Sequence, residues 1–236
     1  MKKERITIDN IPAILWGEPS RMVFIAVHGN MSNKEDTVIE LFAEEVTKRN
    51  YQVLSFDLPE HGDRKKDTSY LCNPQNCIND LKKIMEYARL EHNSIYLWAC
   101  SMGAYFSMLA YKDEELEDCL FLSPVVNMKF VIDNIMHEAG ITEEELKERK
   151  VIQTEFGPTL YWDYYEFVKN HPVPEWDNPM TYILYGKNDN MQSEETINNF
   201  CEEQSGFVTV YDKGEHFFHT DDQLEFYSSW LKDLLA

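Results

Sequence analysis

The sequence predicts an α/β fold: a mostly parallel central sheet with helices on both faces, forming one domain over 1–236 with an insertion at about 125–178. Three observations predict it. MVFIAV at 22–27 and IYLWA at 95–99 are continuous apolar runs without alternation, as strands buried on both faces require. Segments of amphipathic helical period separate such runs at the spacing of strand, helix, strand units. A chain of 236 residues, 43% of them hydrophobic, suffices for one sizeable core but not for two domains and their linkers.

Each element follows in order. Glu4 to Ile8 and Pro12 to Trp16 read as short strands joined at Asp9-Asn10, an antiparallel edge. Met22 to Val27 is a buried strand that ends in His28-Gly29-Asn30. Asp36 to Lys48 places Val38, Ile39, Leu41, Phe42 and Val46 on a helical period, and Tyr51 to Phe56 is the next strand. After the loop DLPEHGDR, Gln75 to Glu91 reads as a helix with Ile78, Leu81, Ile84, Met85 and Ala88 on one face. Ile95 to Ala99 is a strand and Gly103 to Tyr111 the helix after it. Cys119 to Leu122, Met180 to Tyr185 and Gly206 to Tyr211 supply further strands, with helices at Ser193 to Glu203 and Asp221 to Leu235. In such a sheet the ligand site lies beyond the carboxyl ends of the strands.

The interval between Pro124 and Pro179 is longer than a crossover needs, and its composition turns acidic, aromatic and turn-rich. Thr142 to Lys150, TEEELKERK, opens with the capping-box pair Thr142 and Glu145. Both anchors of the interval leave the carboxyl edge of the sheet, so it is expected to form a lid over that edge. Within its aromatic run YWDYYEF, the residues Tyr161, Trp162, Tyr164 and Tyr165 are candidates for substrate contact, with Trp176 near the return; a small internal core is the competing reading.

Charge narrows the partners. Forty-two acidic against 22 basic residues give a formal net charge of -20, which repels nucleic acids and anionic lipid, leaving a small molecule as the expected partner. No apolar run reaches the length of a membrane span, and MKKERITIDN moves from charge into strand-like alternation without an apolar signal segment, so the expected location is the cytoplasm. Five irregularly spaced cysteines suggest neither a disulfide framework nor a zinc motif, and the close pair Cys72 and Cys77 reads as two thiols.

The chemistry centres on LWACSMGA at 97–104. Ala99-Cys100-Ser101-Met102-Gly103 fits a nucleophile elbow, in which a serine sits on a sharp turn from strand to helix between two small residues. The helix N-terminus and the Met102 N–H then stand ready for negative charge beside the Ser101 hydroxyl. A serine so placed needs a base, and the base a carboxylate. His216, in KGEHFF, and Asp189, in KNDNM, each follow a strand at the same edge. His219 is the rival base and Asp57 the rival acid; His28 and His61 are expected to brace the loops around the site.

With HGN at 28–30, DLPEHGD at 57–63, ACSMG at 99–103, YGKND at 185–189 and GEH at 214–216 in this order, the chain resembles an α/β-hydrolase over essentially its full length. It is similar to small bacterial serine esterases of the feruloyl or cinnamoyl esterase and monoacylglycerol lipase kind, with alanine at 99 where these usually have glycine. The resemblance implies an α/β-hydrolase fold with a lid between the sixth and seventh strands and a Ser101, Asp189, His216 triad. It also implies an oxyanion hole from the backbone N–H groups of Asn30 and Met102. The activity implied is hydrolysis of a small carboxylic ester without metal or organic cofactor. An aminopeptidase, amidase, thioesterase or carbon–carbon hydrolase would use the same triad, with the acidic run Glu143 to Glu145 conceivable as a seat for an amino group. A ligand-binding protein on this fold is the non-enzymatic alternative.

Overall fold

Asp9 and Asn10 both take positive φ (45° and 67°), as a two-residue turn of a tight hairpin requires, and they join β1 (Lys3–Ile8) to β2 (Ile11–Trp16). The computed structural model describes residues 1–155, 157–178, 180–204 and 206–235; Pro179, the expected far boundary of the long interval, lies outside the described residues. After the hairpin come β3 (Met22–Val27), α1 (Thr37–Val46), β4 (Gln52–Phe56), α2 (Pro74–Glu91), β5 (Ser94–Cys100), α3 (Met102–Tyr111) and β6 (Cys119–Leu122). The long interval holds α4 (Met128–Glu138), α5 (Glu143–Arg149), β7 (Val151–Gln153), β8 (Thr159–Tyr161) and α6 (Trp162–Asn170). The chain closes with β9 (Thr181–Gly186), α7 (Glu194–Gln204), β10 (Phe207–Tyr211) and α8 (Asp221–Leu234).

Eight strands form one sheet in the order β1, β2, β4, β3, β5, β6, β9, β10. β2 runs antiparallel to both β1 and β4, and every other pair is parallel. The period of two along β3 divides the core: Val23, Ile25 and Val27 pack with α2, α3 and the interval, whereas Phe24 and Ala26 pack with α1 and α8. On the second face Phe24 meets Phe42 edge-on at 5.0 Å, and Phe42 stacks on Trp98 at 5.5 Å. Trp98 and Phe24 are fully buried, which explains why neither strand shows polar alternation.

Two local expectations change. The helix expected to reach Lys48 ends at Val46 and tightens into a 3-10 turn, Thr47–Arg49, closed by Asn50 in the left-handed region (φ 61°). Thr142 does cap α5, accepting the Glu145 N–H at 3.2 Å, but the reciprocal half of a capping box is present instead at α8, between Thr220 and Gln223. The interval also holds elements beyond the helix read at Thr142 to Lys150. α4 repeats Met128, Val131, Ile132 and Ile135 on a helical period behind the N-cap Asn127, and β7 pairs with β8 as an antiparallel hairpin.

Candidate active site

The turn from β5 to α3 holds Ser101 at φ 51° and ψ −124°, a strained backbone for a residue with a side chain. Small residues flank Ser101 as the elbow pattern requires, and at Gly103 the packing supplies the reason. A Cβ there would lie 2.4 Å from the His28 carbonyl oxygen and 2.7 Å from that of Val27, so glycine is demanded by α3 packing against the end of β3. Gly29 has the same constraint from the other side, its added Cβ falling 2.9 Å from that of Ser101. Gly103→Ala should therefore lower stability by about 1–3 kcal/mol and displace the serine, read as a lower Tm together with lost turnover.

Two glycines also set the loops after β9 and β10 against each other. A Cβ on Gly186 would meet the Gly214 carbonyl carbon at 2.5 Å, and the Asn188 N–H donates to the Gly214 carbonyl at 2.8 Å. That contact brings Asp189 to His216: Asp189 Oδ2 accepts from His216 Nδ1 at 2.7 Å. The other carboxylate oxygen accepts the N–H groups of Met191 (2.7 Å) and Gln192 (3.1 Å), so the fully buried acid has no free rotation. His216 Nε2 lies 2.7 Å from Ser101 Oγ.

The rivals sit elsewhere. His219 is exposed and directs Nδ1 to the Phe217 carbonyl at 2.7 Å. The Asp57 carboxylate is taken by the buried Lys34, whose Nζ donates to Oδ2 at 2.6 Å and whose backbone N–H donates to Oδ1 at 3.0 Å. This ion pair, absent from the sequence reading, fixes the loop after β4 to the segment before α1.

His28 and His61 brace the loop between them. Buried His28 donates from Nδ1 to the Gly29 carbonyl (2.7 Å) and accepts the Leu58 N–H at Nε2 (3.0 Å), and burial lowers its pKa to about 3, so it stays neutral. His61 accepts the Met31 N–H at 3.2 Å and stands 3.3 Å from Asn30 Oδ1. Asn30 and Met102 both line the cavity with Ser101, and among the described residues no group occupies the backbone N–H of either.

That cavity measures about 830 Å³. Its apolar wall comes from α4, through Met128, Val131, Ile132 and Ile135, with Leu160 of β8; Glu60, His61 and Lys65 form a polar side. Of the four aromatic candidates, Tyr161 and Tyr164 line it and Trp162 and Tyr165 do not. The latter two are buried in the interval's own packing, their rings 6.2 Å apart, and Tyr165 donates its hydroxyl to Asp133 of α4 at 2.8 Å. Trp176 is buried against Phe121 and also lies outside the lining. Glu143 and Glu145 pair with Lys169 and Arg149 rather than facing the cavity.

The contribution of α4 was missed in the sequence, although its i, i+3, i+4, i+7 period behind Asn127 was the available signal. Gln192 carried no signal. Its buried side chain accepts the Val126 and Asn127 N–H groups (3.1 and 2.8 Å) and so ties the Asp189 loop to the start of the interval. Val125, one residue earlier, donates its N–H to the Ser101 carbonyl at 3.1 Å.

A family profile described as serine aminopeptidase, S33, matches residues 18–171. Among solved structures, the chain is similar to Est1E from Butyrivibrio proteoclasticus with ferulic acid bound, at TM-score 0.78 and 18% identity over 98% of this chain and 97% of that one. It is similar to alpha/beta hydrolase domain-containing protein 10 from mouse, at TM-score 0.77 and 12% identity over 100% and 98% of the two chains. The esterase Pf2001 from Pyrococcus furiosus follows at 0.67 and 20%, over 99% and 91%. At these identities the likeness speaks for the fold. None of the curated proteins matches the chain.

Proposed function

Because the chain belongs to the serine aminopeptidase S33 family of α/β-hydrolases and is a hydrolase, we propose that it cleaves small carboxylic esters through an acyl-enzyme on Ser101. The observation that carries this reading is the pair of 2.7 Å contacts joining Ser101, His216 and Asp189 at a cavity with two free N–H donors. His216 Nε2 takes the Ser101 proton as Oγ attacks the ester carbonyl, while Asp189 holds Nδ1–H and stabilises the imidazolium. The N–H groups of Asn30 and Met102 receive the developing oxyanion; each such donor is worth about 3–4 kcal/mol in related sites. The imidazolium then protonates the departing alcohol, and water, deprotonated by the same histidine, cleaves the acyl-enzyme.

The lining of the cavity supports a substrate class. A neutral acyl or aryl group of short to medium length fits the apolar wall from α4, and the polar side around Glu60 and Lys65 suits the leaving alcohol. A net charge of -20 works against polyanionic substrates. The segment 125–178, which supplies that wall, acts as the lid. All five cysteines are free, which favours the cytoplasm; no helix among the described residues is long and apolar enough to cross a membrane. A second reading, removal of an N-terminal residue from a peptide, has the family description behind it, with Glu60 in the cavity as the group to meet an amine.

A panel of p-nitrophenyl esters and amino-acid amides, run with the wild type and Ser101→Ala, separates the two. Hydrolysis of esters without amides, lost in the variant, is the expected result; amide cleavage with inert esters would overturn it. The aromatic residues give a finer test. Tyr161→Ala and Tyr164→Ala should change the ratios of kcat/KM among acetyl, octanoyl and hydroxycinnamoyl esters. Trp162→Ala and Tyr165→Ala should lower Tm, each losing up to about 3–5 kcal/mol of stability as a buried ring is removed, and leave those ratios unchanged.

A further inference from the structure

The cavity contains a second nucleophile that hydrolysis does not use. Cys72, between β4 and α2, lines it together with Ser101, and Cys77 in the first turn of α2 is fully buried with its sulfur 3.6 Å from that of Cys72. Both flanks of Cys72 are fixed: its N–H donates to Glu60 at 2.6 Å, and Asn73 caps α2 through the Asn76 N–H at 2.9 Å. His61 stands beside it. The hydrogen bond to Cys77, with His61 adding to the effect, lowers the Cys72 pKa against the opposing effects of burial and Glu60. Burial and the neighbouring Cys72 push Cys77 up, and Glu60, Asp80 and Tyr164 are the other titratable groups around the pair. Among the described residues no third ligand completes a metal site here.

We propose that Cys72 is a modification site inside the Ser101 cavity, oxidised by hydroperoxides, with Cys77 as its resolving thiol. The Cys72 thiolate attacks the terminal hydroxyl oxygen of the peroxide; the S–O bond forms, the O–O bond breaks, and the leaving group takes a proton, hydroxide becoming water or, from an organic hydroperoxide, alkoxide becoming an alcohol. Cys77 sulfur then attacks the sulfenic sulfur, forming the S–S bond as the S–O bond breaks, and the Cys77 proton leaves with the hydroxyl as a second water. Two thiols lose two electrons and the peroxide gains them. To bond, the sulfurs must draw together from 3.6 Å, and the Cys72 thiolate that interacts with His61 is consumed. His61 holds the Met31 N–H and faces Asn30, so oxidation reaches the loop that borders Ser101.

The test reads the thiols directly and so does not depend on the ester reading. The full-length reduced protein is treated with hydrogen peroxide at neutral pH, alkylated and mapped by peptide mass. A loss of two hydrogens in a peptide linking Cys72 to Cys77, reversed by dithiothreitol, is expected. Cys77→Ser should stop at a dimedone-reactive sulfenic acid on Cys72, with Cys77→Ala run in parallel as the variant that buries no hydroxyl. In the folded protein, iodoacetamide should label Cys72 at least about tenfold faster than buried Cys201. Equal labelling of the two, or peroxide that leaves both thiols intact, overturns the site. Fluorophosphonate labelling of the oxidised wild type should slow about tenfold or more; a disulfide that leaves that rate unchanged overturns the link to the Asn30 loop.

Discussion

Replacing His216 by alanine lowers kcat on the best ester by a factor on the order of 10⁴ to 10⁶, while His219→Ala retains most activity. The two histidines are three positions apart in one loop, yet only His216 points Nε2 at Ser101 and Nδ1 at a buried carboxylate. His219 is exposed and stacks on Phe217, so its loss disturbs solvent-facing contacts alone. Steady-state kinetics of the two variants, with circular dichroism as the check on folding, decides the matter. A near-normal His216→Ala together with an inactive His219→Ala would show that the base has been misassigned.

Asp189→Asn should cost about 10⁴ in kcat with little change in KM or Tm. The backbone N–H groups of Met191 and Gln192 require an acceptor at Oδ1, so the asparagine carbonyl takes that place and its NH₂ turns toward His216. Facing a donor, the imidazole keeps its proton on Nε2 and cannot accept one from Ser101. Geometry survives and the tautomer is wrong. A variant that retains a tenth or more of wild-type kcat would argue that Asp189 only shapes its turn.

Much of this was legible in the sequence. MVFIAV is a strand because both its faces are buried, and β3 occupies the residues that the apolar run marks. Ser101 could be picked out by the elbow pattern around it, and Asp189 and His216 because each follows a strand at the same edge. What escaped depends on contacts between distant segments. Lys34 is an ordinary charged residue in sequence, and only the fold places it against Asp57, 23 positions away. Gln192 joins the Asp189 loop to Val126 across 66 positions, a tie with no local pattern. The four tyrosine and tryptophan candidates could not be divided without the structure. On α6 the faces of Tyr164 and Tyr165 diverge, so one reaches the cavity and its neighbour reaches Asp133. α4 was readable from its helical period behind Asn127, although the sequence reading of the interval named only the helix at Thr142 to Lys150.

The nucleophile is the centre of the account, and an active-site fluorophosphonate tests it most directly. The folded protein is labelled, digested and mapped by mass, beside Ser101→Ala treated identically. One adduct is expected, on the peptide carrying Ser101, absent from a variant that melts like the wild type and hydrolyses no ester. An adduct on another serine, or undiminished ester hydrolysis by Ser101→Ala, would contradict it.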